Sequence, residues 1–340
     1  SRDLLMSRNL PLEVGANPVI TDNVGKVRNR GIEFALTTVN VETKDWHWDT
    51  SFTFAANKNE ILEIDGKKED NIGNEWFIGE PINVIYNYQW NGIVSDRNMT
   101  VPNNQAATDN GFQPGQSVKE ADYYYKVYGW NEGMPIIEDI DGNGKITEDD
   151  KSILGHIDPS WTGSINTNLR YKNWDFSLSI YTKQNYMVQS PFMTTYLNYK
   201  DRGLSHYDFD YYIPAGTLIL NDDGTEGIQE NTHYGKYPFP NNSTTNQGTG
   251  SYFGNSSTST RLYDIVDASY WKIKNISLGY TFPDKWIRKI GLSYLRLYAN
   301  VTNPFVFTDY KGFDPEWADA SLDQGGPSTI TYQFGINLKF

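Results

Sequence analysis

Ile330-Thr-Tyr-Gln-Phe-Gly-Ile-Asn-Leu-Lys-Phe340 closes the sequence and decides how the rest is read. Ile330, Tyr332, Phe334, Ile336, Leu338 and Phe340 alternate with Thr331, Gln333, Gly335, Asn337 and Lys339. A period of two over that length is a β-strand with one apolar and one polar face. The last residues of a soluble domain usually fray. A strand of about eleven residues instead matches the ~9–11 needed to cross a bilayer at a tilt. Two fold classes fit: the closing strand of a transmembrane antiparallel β-barrel, or a sheet strand in a soluble β-protein.

The same alternation recurs upstream. Ile32, Phe34 and Leu36 form one apolar phase, followed by a polar turn at 42–45. Trp46, Trp48, Phe52, Phe54 and Ala56 form the next. Ile165, Leu169 and Tyr171 lead into a tight turn at Lys172-Asn173, and Trp174, Phe176, Leu178 and Ile180 return from it. Trp271 and Ile273 lie on one phase, but Ile276, Leu278, Tyr280 and Phe282 lie on the other. That change around Lys274-Asn275 predicts a β-bulge, which inserts a residue and restores the face. Leu295, Leu297, Ala299 and Val301 complete the set.

The connections separate by length. Turns near 43–45, 172–173 and 283–291 are short, whereas 58–159, 185–260 and 303–328 are long and rich in Gly, Asn, Asp, Ser and Tyr. Short turns on one side and long loops on the other are the habit of bacterial barrels. Placing the end of the terminal strand in the periplasm makes 292–302 rise, 262–282 descend, 174–184 rise, 162–172 descend, 46–57 rise and 28–42 descend. The region 58–160 is then a large extracellular loop region. With Ser1–Met6 as the end of a rising strand, the total is about eight strands. Eight strands close only a narrow barrel filled with side chains, a poor match for loops of this size. The expected fold is therefore all-β, with 1–340 as the C-terminal part of a larger barrel.

Composition agrees. Of 340 residues, 24 are Tyr, 16 Phe and 10 Trp, and mean hydropathy is −0.60. No run of about 18 apolar residues marks a membrane helix. Barrel strands escape hydropathy plots because half their residues face a polar lumen, and aromatic girdles raise the aromatic content. A carbohydrate-binding β-sandwich fits the same composition. Cysteine is absent, which excludes disulfides and thiolate metal sites. A net charge of −13 argues against a nucleic-acid partner. Ser1-Arg-Asp-Leu-Leu-Met6 does not read as a signal peptide.

One segment carries chemistry. In Asp139-Ile-Asp-Gly-Asn-Gly-Lys-Ile-Thr-Glu-Asp-Asp150, oxygen side chains fall at loop positions one, three, five, nine and twelve: Asp139, Asp141, Asn143, Thr147 and Asp150. Gly144 stands at position six, Lys145 offers a backbone carbonyl at seven, and Ile146 is an apolar anchor at eight. This is EF-hand spacing, which wraps hard oxygen ligands around one Ca²⁺. Position twelve is Asp rather than the usual bidentate Glu. An Asp/Gly-rich surface turn without an ion is the alternative. The expected role of calcium is structural, to stiffen a long outer loop.

No catalytic set emerges. His47, His156, His206 and His233 lack metal-ligand spacing, and no nucleophile elbow or phosphate loop is present. Nothing singles out a carboxylate pair, so the chain is not read as an enzyme. No residue is assigned to ligand binding. Tyr123-Tyr-Tyr125 and Tyr211-Tyr212 fit either stacking on a ligand or the core of a loop.

Several motifs in order then give a resemblance. They are Asn29-Arg-Gly-Ile-Glu33, Trp48 through Asn59, Ile78-Gly-Glu-Pro-Ile82, Tyr88 through Ile93, Pro114-Gly115, Asp139 through Gly155 with Pro159, and Tyr171-Lys-Asn-Trp-Asp175. Asp267 through Tyr280, Leu295 through Asn300, Asn303-Pro-Phe305, Gly312-Phe-Asp-Pro-Glu316 and the final Phe340 follow. Together they resemble the C-terminal half of the SusC/RagA family of TonB-dependent outer-membrane transporters. The resemblance implies a roughly 22-stranded plugged barrel in the outer membrane of a Gram-negative bacterium. It also implies a SusD-like surface lipoprotein as lid, TonB acting through the plug, and oligosaccharide or peptide cargo. The N-terminal plug and barrel portion would be a partner of this chain, as would outer-membrane lipid. Against the family pattern, the signal peptide, TonB-contacting segment, plug and earlier strands are expected outside these 340 residues. The runner-up is a secreted, calcium-stabilised β-sandwich that binds or cleaves glycans; a passive porin is a third reading.

Overall fold

The computed structural model describes residues 4–9, 19–190, 192, 210–220, 223–239, 265–318 and 328–340. The chain divides into two compact units. One comprises Ser1–Val84, Gly155–Val188 and Val266–Phe340, and the other Ile85–Leu154 and Gln189–Ile265.

The first unit is built on eight strands: β1 (Leu4–Asn9), β2 (Val19–Glu42), β3 (Trp46–Ile64), β4 (Trp161–Tyr171), β5 (Trp174–Gln184), β6 (Tyr270–Thr281), β7 (Tyr294–Thr308) and β8 (Thr331–Lys339). They form one sheet in sequence order, each pairing antiparallel with its neighbour. β1 and β8 are its edges, so the sheet is an open length of wall and not a closed barrel. No described helix is long and apolar enough to cross a membrane.

Register lines up the apolar phase into rows across the sheet. Leu36 faces Phe52, Phe52 faces Ile165, Ile165 faces Ile180, Ile180 faces Ile273 and Ile273 faces Phe305. This phase is open: Phe334 is 81% exposed, Ile32 70% and Phe307 59%. A sandwich would bury these side chains beneath a second sheet, so the soluble sandwich reading does not hold. The opposite phase is polar and linked across strands. Thr37 meets Ser51 (3.0 Å), Thr53 meets Ser164 (2.6 Å), and Ser179 donates to Asn166 (2.6 Å).

Aromatic rings mark the two limits of the apolar band. At one end Trp46 lies 4.1 Å from Tyr171, and Trp174 lies 4.7 Å from Tyr280. At the other, Trp161 lies 5.7 Å from Phe54 and 6.0 Å from Trp271. On β4 these limits are Trp161 and Tyr171. Ten residues at about 3.3 Å each, tilted by about 40°, rise about 25 Å. That is the height of the apolar band of a membrane barrel.

The bulge expected at Lys274-Asn275 is present. The β6–β7 register shifts between Ile273 and Asn275, and the β5–β6 register shifts between Ser179 and Ile180. Lys172 takes a left-handed φ of +51° in the tight β4–β5 turn. The connection at 283–291 is a helical turn, Asp284–Ile287 followed by Arg288–Ile290, stopped by Gly291 at φ +78°.

Three strands outrun their sequence limits. β2 begins before residue 28, β3 continues past 57 to Ile64, and β7 continues past 302 to Thr308. The loop read from residue 58 therefore starts after Ile64. The reason is physical: in the β2–β3 extension the apolar side chains are few and pack on a neighbouring loop, so strict alternation fades while the backbone ladder continues. Lys26–Glu63 (2.6 Å) and Arg28–Glu60 ion pairs brace the β2–β3 extension. Val27, Ile61 and Ile64 pack there with Trp76, Ile78 and Ile82. Ser1–Met6, expected to end a rising strand, lies partly outside the described residues, as does the 262–264 start of the expected 262–282 strand.

An ion network holds the connection after β7. Lys272 on β6 is fully buried, and its Nζ donates to Asp314 Oδ2 (2.6 Å), Glu316 Oε2 (2.8 Å) and Ser328 Oγ (3.1 Å). Lys274 joins Glu316 at 2.6 Å, and Tyr186 donates its hydroxyl to the Pro315 carbonyl (2.9 Å). Burial opposes ionisation of Asp314 and Glu316, but hydrogen bonds from the lysines outweigh it and hold both below the usual carboxylate range. A carboxyl with a depressed folded pKa contributes stability above its unfolded pKa and loses it as pH falls through the folded value. Detergent-purified protein should therefore melt lower once pH drops below about 4, with the loss beginning near the ordinary carboxyl range. Lys272→Met should lower stability at pH 7 by about 3–5 kcal/mol, because it strands a buried carboxylate, and should blunt this acid sensitivity. An unchanged melting profile in that variant would show the network to be idle.

Candidate metal centre in the 139–150 loop

The loop lies in the second unit. The strand Pro135–Ile137 leads into it, paired with Trp90–Ile93. A single 3-10 turn, Glu148–Asp150, ends it, and the strand Lys151–His156 follows. The loop thus has EF-hand spacing without the flanking helices.

Three of the expected ligands converge. One carboxylate oxygen from each of Asp139, Asp141 and Asp150 lies within 4.8 Å of the others. Asp150 is fully buried and is the hub of the loop. Its Oδ1 accepts the Ile140 N–H (2.9 Å), and its Oδ2 accepts the Thr147 N–H (2.7 Å). Thr147 caps the 3-10 turn in a reciprocal capping box with Asp150. Asp139 Oδ2 accepts the Gly144 N–H (2.7 Å) and the Tyr128 hydroxyl (2.9 Å). Asp139 Oδ1 is buried and has no hydrogen-bond partner. Asp141 receives the Asn143 N–H (2.9 Å) and side-chain amide (2.6 Å).

The other expected ligands have local duties. Asn143 Oδ1 accepts the Lys145 N–H (2.8 Å), and Thr147 Oγ1 accepts the Asp149 N–H (3.3 Å). Ile146 is half-buried. Gly144 at φ +79° makes the sharp turn, and a Cβ built there would lie 2.1 Å from the Ala106 Cβ.

This donor set suits a hard cation. Three carboxylates crowd together without a lysine or arginine ion pair to any of them among the described residues. An orphaned buried carboxylate oxygen costs free energy until something satisfies it. Calcium is served by all-oxygen ligands of this kind.

Sequence spacing did not reveal Tyr128. It ends the helix Glu120–Tyr128, which stops at Gly129. Its ring stacks 4.5 Å from Trp130, and Trp130 lies 5.6 Å from Tyr124. Burial, then the bond to Asp139, pushes the Tyr128 hydroxyl pKa up, so it remains a donor. Tyr123 and Tyr212 are buried loop-core residues, whereas Tyr125 is exposed. The described histidines are not gathered: His47 pairs with Glu42 and Asp49, and His233 pairs with Asp210 (2.7 Å). His206 lies outside the described residues.

No family model matches the chain. Curated relatives do. The chain is 28% identical over 366 residues to TonB-dependent receptor P3 of Formosa agariphila, covering 100% of the chain and 31% of that protein. It is 27% identical over 343 residues to TonB-dependent receptor SusC of Bacteroides thetaiotaomicron, covering 99% of the chain and 29% of that protein. The chain thus spans about a third of the length of the curated relatives it matches. Among solved structures, the RagAB peptide transporter matches with a TM-score of 0.57 and 19% identity, over 100% of the chain and 32% of the solved chain. The "open-open" state of the RagAB peptide importer matches at 0.58 and 18%, over 100% and 31%. These likenesses agree with the fold: a length of outer-membrane-type β-barrel wall. The ordered motifs and the curated relatives together bear out the resemblance to the SusC/RagA family of TonB-dependent receptors.

The loop geometry makes one substitution diagnostic. Gly144→Ala adds left-handed strain and a collision with Ala106, together about 2–4 kcal/mol. Hydrogen exchange should show the 139–150 amides losing protection while the amides of β4 and β5 keep theirs. Equal protection in the variant would contradict the assigned turn.

Proposed function

We propose that this chain supplies wall strands and outer loops to a TonB-dependent importer in the outer membrane of a Gram-negative bacterium. The carrying observation is the eight-stranded antiparallel sheet whose apolar phase lies open between two aromatic limits. Similarity to TonB-dependent receptors along the whole chain supports it. In this reading the region after β3 lies outside the cell. The cargo is an oligosaccharide or peptide too large for passive pores. A SusD-like surface lipoprotein closes over it, and TonB acts on a plug supplied by the rest of the transporter. The chain does no covalent chemistry; it binds, encloses and releases.

Calcium in the 139–150 loop belongs to the same proposal. Asp139, Asp141 and Asp150 would hold it, with Asn143, the Lys145 carbonyl and Thr147 completing the sequence-derived set. Asp139 Oδ1 is the strongest support, because a cation would satisfy that oxygen. The ion's role there is to fix the loop.

Two measurements test these readings. Outer membranes extracted in detergent and captured through this chain should yield the plug portion of the transporter and a SusD-like lipoprotein by mass spectrometry. Recovery of the chain from the soluble fraction alone would contradict the importer. Calorimetric titration of the captured assembly with Ca²⁺ should give a dissociation constant in the range of about 10⁻⁵–10⁻³ M. Asp139→Asn with Asp141→Asn should abolish that binding event. Heat evolution unchanged by the double substitution would place calcium elsewhere.

A further inference from the structure

The second unit contains a cleft of about 630 Å³ beside the strand Trp90–Ile93. Trp90, Arg97, Glu120, Tyr212, Tyr234 and Lys236 line it. None of these residues belongs to the 139–150 loop.

The cleft is held from behind by polar contacts. Asp96 Oδ1 accepts the Tyr234 hydroxyl (2.6 Å), and Oδ2 accepts the Thr232 hydroxyl (2.9 Å). The Tyr234 bond, foremost, keeps Asp96 below the usual carboxylate range. The Tyr234 ring lies 3.7 Å from the Arg97 guanidinium carbon, in cation–π contact. Tyr212 is 1% exposed; it donates to Glu132 (2.8 Å) and accepts from the Asp96 N–H (3.3 Å). Arg97 therefore sits on a braced platform.

The charges of the cleft are unequal in availability. Glu120 is already an acceptor, taking the Ser95 N–H (2.8 Å) and the Ser95 hydroxyl (2.5 Å). Asp96 is engaged as described. Arg97 and Lys236 are exposed, and among the described residues neither has a carboxylate within ion-pair distance. Arg97 and Lys236 are thus the two cations of the cleft lining, and Glu120, its one lining carboxylate, is turned to Ser95. A guanidinium carries five N–H donors, so one stacked on Tyr234 and bonded to its hydroxyl still has donors for a planar carboxylate.

The geometry points to this cleft as a subsite for a uronate-bearing oligosaccharide. Arg97 and Lys236 receive the carboxylate, and Trp90 offers an aromatic wall to the sugar ring. A uronate carries its carboxylate directly on a rigid pyranose, so one sugar meets both features at once. The acidic side chains of a peptide hold theirs on flexible stems, whose ordering costs rotamer entropy. This inference names a cargo class within the importer reading, and it rests on that reading for the fate of the ligand.

The test is calorimetry on the intact purified transporter assembly. The probes are a galacturonate trimer, the same trimer with its carboxylates reduced to alcohols, and a triglutamate peptide. The trimer should bind at least about tenfold more tightly than either comparison ligand. Arg97→Ala with Lys236→Ala should weaken trimer binding about 10–100-fold and leave the reduced trimer unaffected. Arg97→Lys keeps the charge without the planar fork and should lose about half of that effect on a logarithmic scale; it keeps the test open if the double variant fails to fold. Absent trimer binding, equal affinity for the reduced trimer, or an unchanged affinity in a folded double variant would overturn the subsite. Equal binding of triglutamate would overturn the sugar assignment. Trimer uptake by cells with and without TonB separates the two levels. Cleft-dependent binding without TonB-dependent uptake would contradict the importer and leave the subsite standing. TonB-dependent uptake indifferent to Arg97 and Lys236 would contradict the subsite alone.

Discussion

A backbone crossing a lipid layer has no water to satisfy its N–H and C=O groups, so each must be paired within the protein. That constraint organises the first unit. It keeps β2 through β8 in uninterrupted antiparallel register and tolerates irregularity only as bulges. It also sorts the side chains. With every backbone group committed to the ladder, one phase is left for the apolar surroundings and the other for a polar interior. The bulge at Ile273–Asn275 keeps both phases on their proper sides through the length of β6.

The polar phase is used for bracing. Arg296 reaches across the sheet to grip Asp175 with Nε (3.1 Å) and Nη2 (2.5 Å). Gly279 lies between them, where a Cβ would sit 2.5 Å from both partners. Gly335 similarly leaves room for the ring of Tyr298, its cross-strand neighbour. Lys272 and Lys274 turn two separate motifs into one structure. Asp267 through Tyr280 and Gly312 through Glu316 read as family signatures in the sequence. In space they are the two halves of an ion network that ties the connection after β7 to the wall.

The wall was legible in the sequence because period-two alternation is a direct imprint of its two environments. The tight turn at Lys172, the bulge on β6 and the count of strands follow from that imprint. The β2–β3 extension was not legible, because around Lys26–Glu63 and Arg28–Glu60 charged pairs alternate with Val27, Ile61 and Ile64 packed on a loop, and the strict two-residue imprint breaks up. In the second unit, spacing located Asp139, Asp141 and Asp150 because a loop that turns on Gly144 brings those positions together. Spacing carried no information on Tyr128 or Ala106, which reach the loop from other segments. Arg97, Tyr234 and Asp96 were missed for the same reason: their cleft joins stretches more than a hundred residues apart, and no local pattern marks such a meeting.

The apolar phase of the wall, if it faces lipid, must alternate residue by residue in its contact with the bilayer. The cysteine-free sequence permits single cysteines at residues 332 through 338 in the intact transporter, each labelled with a fluorophore and reconstituted with brominated lipid. Quenching should be strong at 332, 334, 336 and 338 and weak at 333, 335 and 337. Uniformly weak quenching, or quenching without alternation, would contradict a membrane wall.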